Sequence, residues 1–346
     1  MISPRDILNV TFKIRRELGY PIKSIPKIIS VFSNDSERKL YIVCGDRADR
    51  SVLIGPGGRV VYEIARKLNY EIVIIRALTD ILVSFERIRQ SIEKARKVIE
   101  KIHDNRVKKV IENKIIPLAK EHMRIVSRKW KVKLNDINYS TDVKTVIAFS
   151  GGVDSAATLI YVKNIGLKNL SITVDPGPFI IPNHVKSKII DFTRKNKIEH
   201  KFTNSIEEYD EIISKARSGH RIPCKACHEI IKRTVVREAI ANDARIIFFG
   251  DLLPTGYHSI RLIGGELIRI NLPAFLALTK TDTIIISKIH GYGDTKLIYG
   301  CPLLRYSMKK NRHFKYIAIQ RVLRETRAGI LEPNQALELI KSIIEL

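Results

Sequence analysis

The stretch Ser150-Gly151-Gly152-Val153-Asp154-Ser155 (SGGVDS) decides the fold of this 346-residue chain. It follows an apolar run, Val143 to Phe149, which is typical of a buried strand. It precedes Ala156 to Val162, a predicted helix opened by residues that favour helix starts. A strand that enters a glycine-rich turn and then a helix directs several backbone N–H groups at one point, where the helix dipole adds partial positive charge. The stretch therefore predicts a site for an anion such as a pyrophosphate.

The loop lacks the lysine of the GxxxxGKS/T nucleotide-binding loop. SGGVDS is instead the signature of the PP-loop ATP pyrophosphatases, and the chain resembles that superfamily from about Val143 onward. The resemblance implies that ATP is split between its α and β phosphates and that AMP is transferred to a carbonyl oxygen, which a nitrogen or sulfur nucleophile then replaces. Asp154 is expected to cap the helix or to help place Mg²⁺. The implied ATP-binding residues of the loop are Ser150, Gly151, Gly152, Val153, Asp154 and Ser155.

Strands and helices alternate after the loop. The predicted strands are Leu170 to Val174, His200 to Thr203 and Arg245 to Phe249, with helices between them. This alternation predicts an α/β fold with a doubly wound parallel sheet and with ligands at the carboxyl ends of its strands. Asp175 and Gly250-Asp251 follow two of these strands, so we expect them to lie in one crevice with SGGVDS. Asp175 and Gly250 are accordingly candidate ATP-binding residues.

Three of the four cysteines form a candidate metal site. Cys224 and Cys227 are a CxxC pair at a predicted helix start, and Cys301 lies in a later Cys-Pro pair. Three thiolates with one open position suit a 4Fe–4S cluster whose fourth iron is free to bind a ligand. From spacing alone, a tetrahedral zinc site with His228 as fourth ligand is another possibility. CxxCH also matches c-type haem attachment, which is disfavoured in an α/β enzyme expected to be cytosolic. Cys44 lies in an apolar run and is expected to be a buried small hydrophobe.

Together with SGGVDS, the cysteines resemble those of the iron–sulfur-dependent tRNA thiolation enzymes within the PP-loop superfamily. The Arg-containing segment Leu267 to Pro273 resembles a strand of those enzymes. The spacing from Cys227 to Lys232 resembles that of the 2-thiouridine synthases, which implies that Lys232 reaches the ATP phosphates. The chain departs from the family pattern after the penultimate strand, where Gly250-Asp251 replaces a Gly-His-Asn-type run. Asp251 is therefore predicted to contact Mg²⁺ or ATP, and the predicted catalytic residues are Asp154, Lys232 and Asp251.

Residues 1–85 form a separate predicted module. The expected order is helix, strand, strand, helix, a Gly55-Pro56-Gly57-Gly58 loop, helix and strand. This order resembles a KH domain of the second topological type, in which a GxxG loop clamps the backbone of a single-stranded nucleic acid. Because Pro56 and Gly57 fill the variable positions, phosphate contacts are expected from backbone amides and flanking arginines. The predicted RNA-binding residues are Arg47, Arg50, Gly55, Pro56, Gly57, Gly58 and Arg59.

The remaining division of the chain is a basic helical linker at 86–140, with a break near Pro117, and a catalytic domain at 141–346. The formal net charge of +25 favours a polyanionic partner, and tRNA is the one that the resemblance implies. The amino-terminal residues carry charges instead of a signal-peptide core, so a cytoplasmic protein without a membrane span is expected. Sulfide, a persulfide or a thiocarboxylated carrier protein would supply sulfur, and a homodimer is compatible with the sequence.

The favoured hypothesis from sequence is an ATP-dependent tRNA sulfurtransferase that uses ATP, Mg²⁺ and a 4Fe–4S cluster. A second version keeps the reaction but uses Cys227 and Cys301 as a persulfide relay. A third is an ATP-dependent RNA-base amination enzyme of the lysidine-synthetase type, which needs no set of three cysteines. A fourth is a non-catalytic RNA-binding protein that retains the loop. The modified nucleotide is not specified by any of these features.

Overall fold

A computed structural model describes residues 2–128, 141–292 and 298–346. The chain divides into two compact units, Met1–Glu86 and Arg87–Leu346. Residues 87–128 belong to the second unit, and the rest of the predicted linker, 129–140, lies outside the described residues. The division into domains at 1–85, 86–140 and 141–346 stays a prediction.

The first unit has the predicted order of elements. Its three-stranded sheet is mixed, since the central strand pairs antiparallel with the first strand and parallel with the third. The helices cover one face, where Leu40, Ile42 and Cys44 of the central strand are completely buried. Cys44 is thus a small hydrophobe of the core, as predicted. The elements are α1 Pro4–Glu17, β1 Ile28–Asn34, β2 Lys39–Cys44, α2 Arg47–Ile54, α3 Arg59–Lys67 and β3 Ile72–Ala77.

The second unit is built on a six-stranded sheet of order β6-β5-β4-β7-β9-β8. All neighbouring strands are parallel except β8, which forms an antiparallel hairpin with β9. The strand order reverses between β4 and β7, which makes the carboxyl ends of these two strands the topological switch point. The predicted α/β class with a doubly wound sheet is confirmed. The strands are β4 Thr145–Ala148, β5 Asn169–Asp175, β6 Glu199–Asn204, β7 Ile246–Phe249, β8 Ile260–Ile263 and β9 Leu267–Asn271.

Helices cover both faces of this sheet because its central strands are apolar on both sides. Ile147 of β4 packs with Phe248 of β7 in one core cluster, whereas Val146 and Phe249 lie in a second cluster on the opposite face. The helices are α4 Leu78–Ile99, which contains the boundary between the units, α5 Asn105–Val110, α6 Ile116–Arg128, α7 Val153–Asn164, α8 Asn183–Lys195, α9 Ile206–Arg217, α10 Cys224–Ala241, α11 Leu272–Phe275, α12 Lys280–Ile289, α13 Pro302–Lys310, α14 His313–Arg327 and α15 Pro333–Ile344.

The predicted helix break at Pro117 is wrong. Helix α6 continues directly from a π-helical turn, Ile111–Ile115, in which the N–H of Ile116 donates to the carbonyl of Ile111. Such a widened turn accommodates a proline, which cannot donate to the preceding turn. The chain leaves the helical conformation at residues 100–104 instead.

Helix α7 runs through the centre of the second unit. Nearly all of its residues from Val153 to Val162 are buried, Asp154 being the exception. Lys114, itself 1% exposed, donates from its ammonium to the carbonyl of Ile165 and, at 3.3 Å, to that of Gly166. A cation at this end of the helix stabilises the unpaired carbonyl groups there. No helix within the described ranges has the length and apolar character needed to cross a bilayer.

Candidate nucleotide and cysteine site

The SGGVDS loop joins β4 to α7 as a tight internal network. The hydroxyl of Ser155, a 3% exposed residue, donates to the carbonyl of Gly152 at 2.9 Å. The same hydroxyl lies 3.1 Å from that of Ser150 and accepts from the Ser150 backbone N–H at 3.3 Å. These contacts form a tight turn, which places the backbone amides at the start of α7 at the carboxyl edge of the sheet. The loop therefore has the backbone arrangement that favours anion binding.

Two glycines make this arrangement possible. Gly151 has a φ of +76°, and a Cβ built there would lie 2.9 Å from carbon atoms of Val185 and Ile189. A Cβ at Gly250 would lie 2.6 Å from the backbone N of Ser155. The chain after β7 therefore touches the first turn of α7, and the structure brings Gly250 and the loop together at the switch point, as the sequence analysis expected.

Helix α12 holds the loop from the side. Lys280 donates to Asp154 Oδ2 at 2.8 Å, and the Thr283 hydroxyl donates to Asp154 Oδ1 at 2.7 Å. The Ser287 hydroxyl donates to the carbonyl of Val153 at 2.8 Å, and the Tyr292 hydroxyl donates to the carbonyl of Gly151. Asp154 is thus already paired with α12.

Sequence reasoning missed these partners of Asp154. The signal that was available is the capping box of α12, formed by Thr279 and Asp282. It predicts where that helix starts but not which helix it contacts.

The other predicted residues at this edge also have partners. Asp175 is the last residue of β5 and accepts from the Lys186 ammonium at 2.6 Å and from the Gly177 backbone N–H at 3.0 Å. Its carboxylate therefore fixes the turn after β5. Lys232, predicted to reach ATP phosphates, donates to Glu229 one turn earlier on α10 at 3.1 Å.

Asp251 connects the switch point to the cysteine-bearing helix α10. It accepts from Arg269 of β9 at 2.9 Å, and its other oxygen lies 3.7 Å from His228 Nε2. Arg269 is 6% exposed, and its guanidinium also lies over the ring of Phe249. Burial lowers the pKa of His228, and nearby Asp251 opposes this effect. The first turns of α10 and α7 thus meet the same edge of the sheet.

The three cysteines lie at helix starts. Cys224 begins α10, Cys227 lies one turn later, and Cys301 is the N-cap of α13. Burial raises the pKa of Cys227 to about 12, and nearby Cys301 and Cys224 raise it further. Burial likewise raises the pKa of Cys301, against backbone N–H groups of α13 that lower it. All three are free thiols, and Cys227 is protonated at neutral pH.

The donor set has the chemistry of an iron–sulfur or zinc site, but its arrangement is not that of a closed metal site. Within the described ranges, no group of three or more Cys, His, Asp or Glu side chains is gathered closely enough to hold a metal ion. The thiols are nevertheless close enough to influence one another's pKa. Burial lowers the pKa of the Arg321 guanidinium on α14, but nearby Cys224 and Tyr299 outweigh this effect, so that the pKa is raised overall. The thiols therefore neighbour one another beside a half-buried guanidinium.

The candidate RNA-binding residues of the first unit lie around the loop between α2 and α3. Arg47 and Arg50 both pair with Asp80, at 2.6 and 3.3 Å, so these arginines are partly engaged within the unit. Arg59 is exposed at the start of α3. Gly55, Gly57 and Gly58 all have positive φ, and Pro56 is exposed between them. A Cβ at Gly55 would lie 2.2 Å from Val60, whereas one at Gly57 would meet no atom within 4 Å.

The chain is similar in sequence to an archaeal protein and in structure to a solved tRNA thiolase. No protein-family model matches the chain. A U34-tRNA thiolase, NcsA from Methanococcus maripaludis, solved with its 4Fe-4S cluster, is 16% identical with a TM-score of 0.39; the match covers 66% of this chain and 78% of that one. Values this low leave the function open. The uncharacterized protein MJ1638 of Methanocaldococcus jannaschii is 34% identical over 204 residues, which are 59% of this chain and 74% of the relative. The chain belongs to the same family as that Methanocaldococcus protein.

Proposed function

We propose that this chain is an ATP-dependent tRNA sulfurtransferase. One observation carries the proposal: the anion-binding loop, Asp251 and the first turn of the cysteine-bearing helix α10 meet at a single switch point. The close approach of Gly250 to Ser155 and the contact between His228 and Asp251 establish this meeting. An ATP site beside a set of thiols suits a reaction that first activates an oxygen and then replaces it with sulfur.

In the proposed reaction, a base carbonyl oxygen attacks the α-phosphorus of ATP, and pyrophosphate leaves. The amides at the start of α7 hold the pyrophosphate, and the dipole of that helix stabilises its charge. A sulfur nucleophile then attacks the activated carbon, and AMP leaves with the original oxygen. Mg²⁺ would accompany ATP, with Asp251, which follows Gly250 at the switch point, as the proposed carboxylate ligand. Asp154 would keep the loop in shape through Lys280 and Thr283.

The cysteines would bind or carry the sulfur. A 4Fe–4S cluster held by Cys224, Cys227 and Cys301 would supply an open iron position for the sulfur atom. Because burial keeps Cys227 protonated, loading of the cluster must release protons. The basic neighbour Arg321 would offset the negative charge of the ligated thiolates. The same residues without iron would serve the persulfide version.

The first unit would capture the RNA. Its mixed sheet and its glycine loop between two helices support the proposed KH-like domain. Gly57 and Gly58 leave an open surface at the loop tip, which a phosphate can approach closely. Since Arg47 and Arg50 share Asp80, exposed Arg59 would be the main side-chain contact to phosphate.

Mass spectrometry of tRNA nucleosides tests the proposal. Purified protein, handled without oxygen, is incubated with ATP, Mg²⁺ and bulk tRNA, in one arm with sulfide and in another with a persulfide as the sulfur source, and thiolated nucleosides are measured. We expect one thionucleoside and one AMP for each sulfur incorporated. Iron and acid-labile sulfide are measured on the same sample, and absence of both would exclude the cluster but not the persulfide relay.

Two variants separate the alternatives. Asp154→Ala should lower ATP–pyrophosphate exchange by about 10² to 10³, as expected for loss of a group that organises charge stabilisation. Replacing Cys224, Cys227 and Cys301 with Ser should abolish thiolation and leave the exchange intact. Full modification of tRNA by the triple Ser variant would instead support base amination. Absence of any ATP-dependent change in tRNA would refute the proposed function.

A further inference from the structure

A groove on the second unit lies between the carboxyl-terminal turns of α9 and α13. Its volume is about 520 Å³, and its lining includes Ile213, Ser214 and Ser218 from α9 and the residue after it. The charged and aromatic lining residues are Asp210, Arg217, Tyr306 and Lys310. The groove is thus mainly polar, with hydroxyl groups and cations beside one aliphatic side chain and one aromatic ring.

Two aromatic rings flank the groove, and each has a cation over it. The Arg217 guanidinium lies 5.3 Å from the centre of the Phe179 ring, and the Lys310 ammonium lies 5.7 Å from that of Tyr306. Phe179 is 50% exposed and Tyr306 is 41% exposed, although large aromatic side chains normally bury most of their surface. Exposed rings with adjacent cations are suited to stack a flat base and pair with its phosphate.

The groove is joined to the cysteine site. The carbonyl of Phe179 accepts from the backbone N–H of Leu303 at 2.9 Å, and Leu303 is two residues after Cys301. Tyr306 follows Cys301 along α13 by about 7.5 Å of helix rise. A nucleotide in the groove would therefore lie near a thiol that the proposed reaction uses.

The charge around the groove favours an anionic occupant. The last turns of both helices are basic, with Arg217 on α9 and Lys309 and Lys310 on α13, whereas Lys215 on α9 is paired with Glu211. These cations more than offset the negative ends of the two helix dipoles. Asp210 is the one carboxylate in the lining, and it can accept from the N–H groups of a base edge.

We propose that this groove binds an unstacked nucleotide of the substrate RNA, with its base against Phe179 or Tyr306 and its phosphate at Arg217 and Lys310. This site is additional to the glycine loop of the first unit. The proposal rests on the proposed function for the identity of the RNA, but binding itself requires neither ATP nor sulfur.

The test uses the full chain and a short fluorescent single-stranded RNA, with the same strand in a duplex for comparison. Phe179→Ala and Tyr306→Ala should each weaken binding of the single strand roughly ten-fold, an effect in the range of base–aromatic stacking. Tyr306→Phe keeps the ring and should retain affinity. The pair Arg217→Ala and Lys310→Ala should reduce the log–log salt slope by roughly 1.4 for the two cations. Lys101→Ala with Lys109→Ala removes the same charge from the turn after α4 and from α5, far from the groove in sequence, and should leave the groove intact.

Photo-crosslinking with a 4-thiouridine-containing strand locates the contact directly. A crosslink to the peptide of Phe179 or Tyr306 would support the site. Crosslinks confined to the first unit, with unchanged affinity in both ring variants, would overturn it. If the ring variants keep their RNA affinity but lose sulfur transfer from a carrier protein, the groove binds that protein, which would also overturn the proposal. If RNA binds in the groove but no thionucleoside forms, the proposed function is refuted and the groove proposal stands.

Discussion

The contact between Asp154 and Lys280 can be measured by a double-mutant cycle. The variants are Asp154→Ala, Lys280→Met and their combination. The two side chains are 2.8 Å apart and only 26% and 19% exposed, so water screens their attraction weakly. Hydrogen bonds to charged groups contribute about 1.5–3 kcal/mol to stability, and we expect a coupling free energy in that range. The Thr283 hydroxyl keeps one oxygen of Asp154 bonded in the Lys280 variant, which favours the lower half of the range.

Native-state hydrogen exchange with mass spectrometry gives the free energy of opening for peptides of α7 and α12 separately. The control cycle uses Lys215 and Glu211, an i,i+4 pair on α9 whose side chains are 49% and 76% exposed. That exposed pair should couple by only about 0.3–0.5 kcal/mol. A coupling below about 0.5 kcal/mol for Asp154 and Lys280 would refute the view that α12 holds the loop in place.

Three further predictions concern individual positions. Gly250→Ala places a Cβ 2.6 Å from the Ser155 N, so it should lower the free energy of unfolding by about 1–3 kcal/mol and abolish ATP–pyrophosphate exchange. Gly152→Ala, whose Cβ would have its nearest atom at 3.4 Å, should keep the fold, and equal stability of the two variants would contradict the packing argument. Since the pKa of Cys227 is about 12, its thiol in the metal-free protein should react slowly with iodoacetamide at pH 8 and faster as the pH rises toward 12. If Cys227 is labelled at pH 8 as fast as an exposed thiol, its side chain is not buried as described. The double variant Gly57→Asp with Gly58→Asp should abolish capture of RNA by the first unit. The control, Gly57→Asn with Gly58→Asn, tolerates positive φ without adding charge and should weaken binding less. Equal RNA binding by the wild type and both double variants in filter assays would exclude the loop as a phosphate site.

Sequence patterns could predict which residues meet at the edge of the second sheet because strand ends are local features. SGGVDS and Gly250 each follow a short apolar run, and parallel strands bring the ends of such runs together. The helix after SGGVDS was predictable for the same reason. The boundary errors are small and come from fraying ends, as with β4, predicted at Val143 to Phe149 and observed at Thr145–Ala148.

Side-chain partners were not predictable, because tertiary packing selects them. Lys280 is 126 residues from Asp154 in the chain, and no local pattern connects them. Arg47 and Arg50 were predicted as phosphate contacts from their charge and their position beside the glycine loop, but Asp80, 33 and 30 residues away, pairs with both. The break expected at Pro117 failed because a π-turn absorbs the proline, a rearrangement that composition does not reveal.

The enclosure of α7 has a thermodynamic consequence for any nucleotide that binds at its start. A surface loop can melt while the rest of a protein stays folded, and a ligand on such a loop is then released without global unfolding. The SGGVDS amides belong to a helix that is buried along its length and held at its far end by Lys114, so they can be lost only when the core itself opens. Ligand binding free energy is therefore coupled to global unfolding, and ATP should raise the melting temperature of the whole second unit in proportion to the logarithm of its concentration.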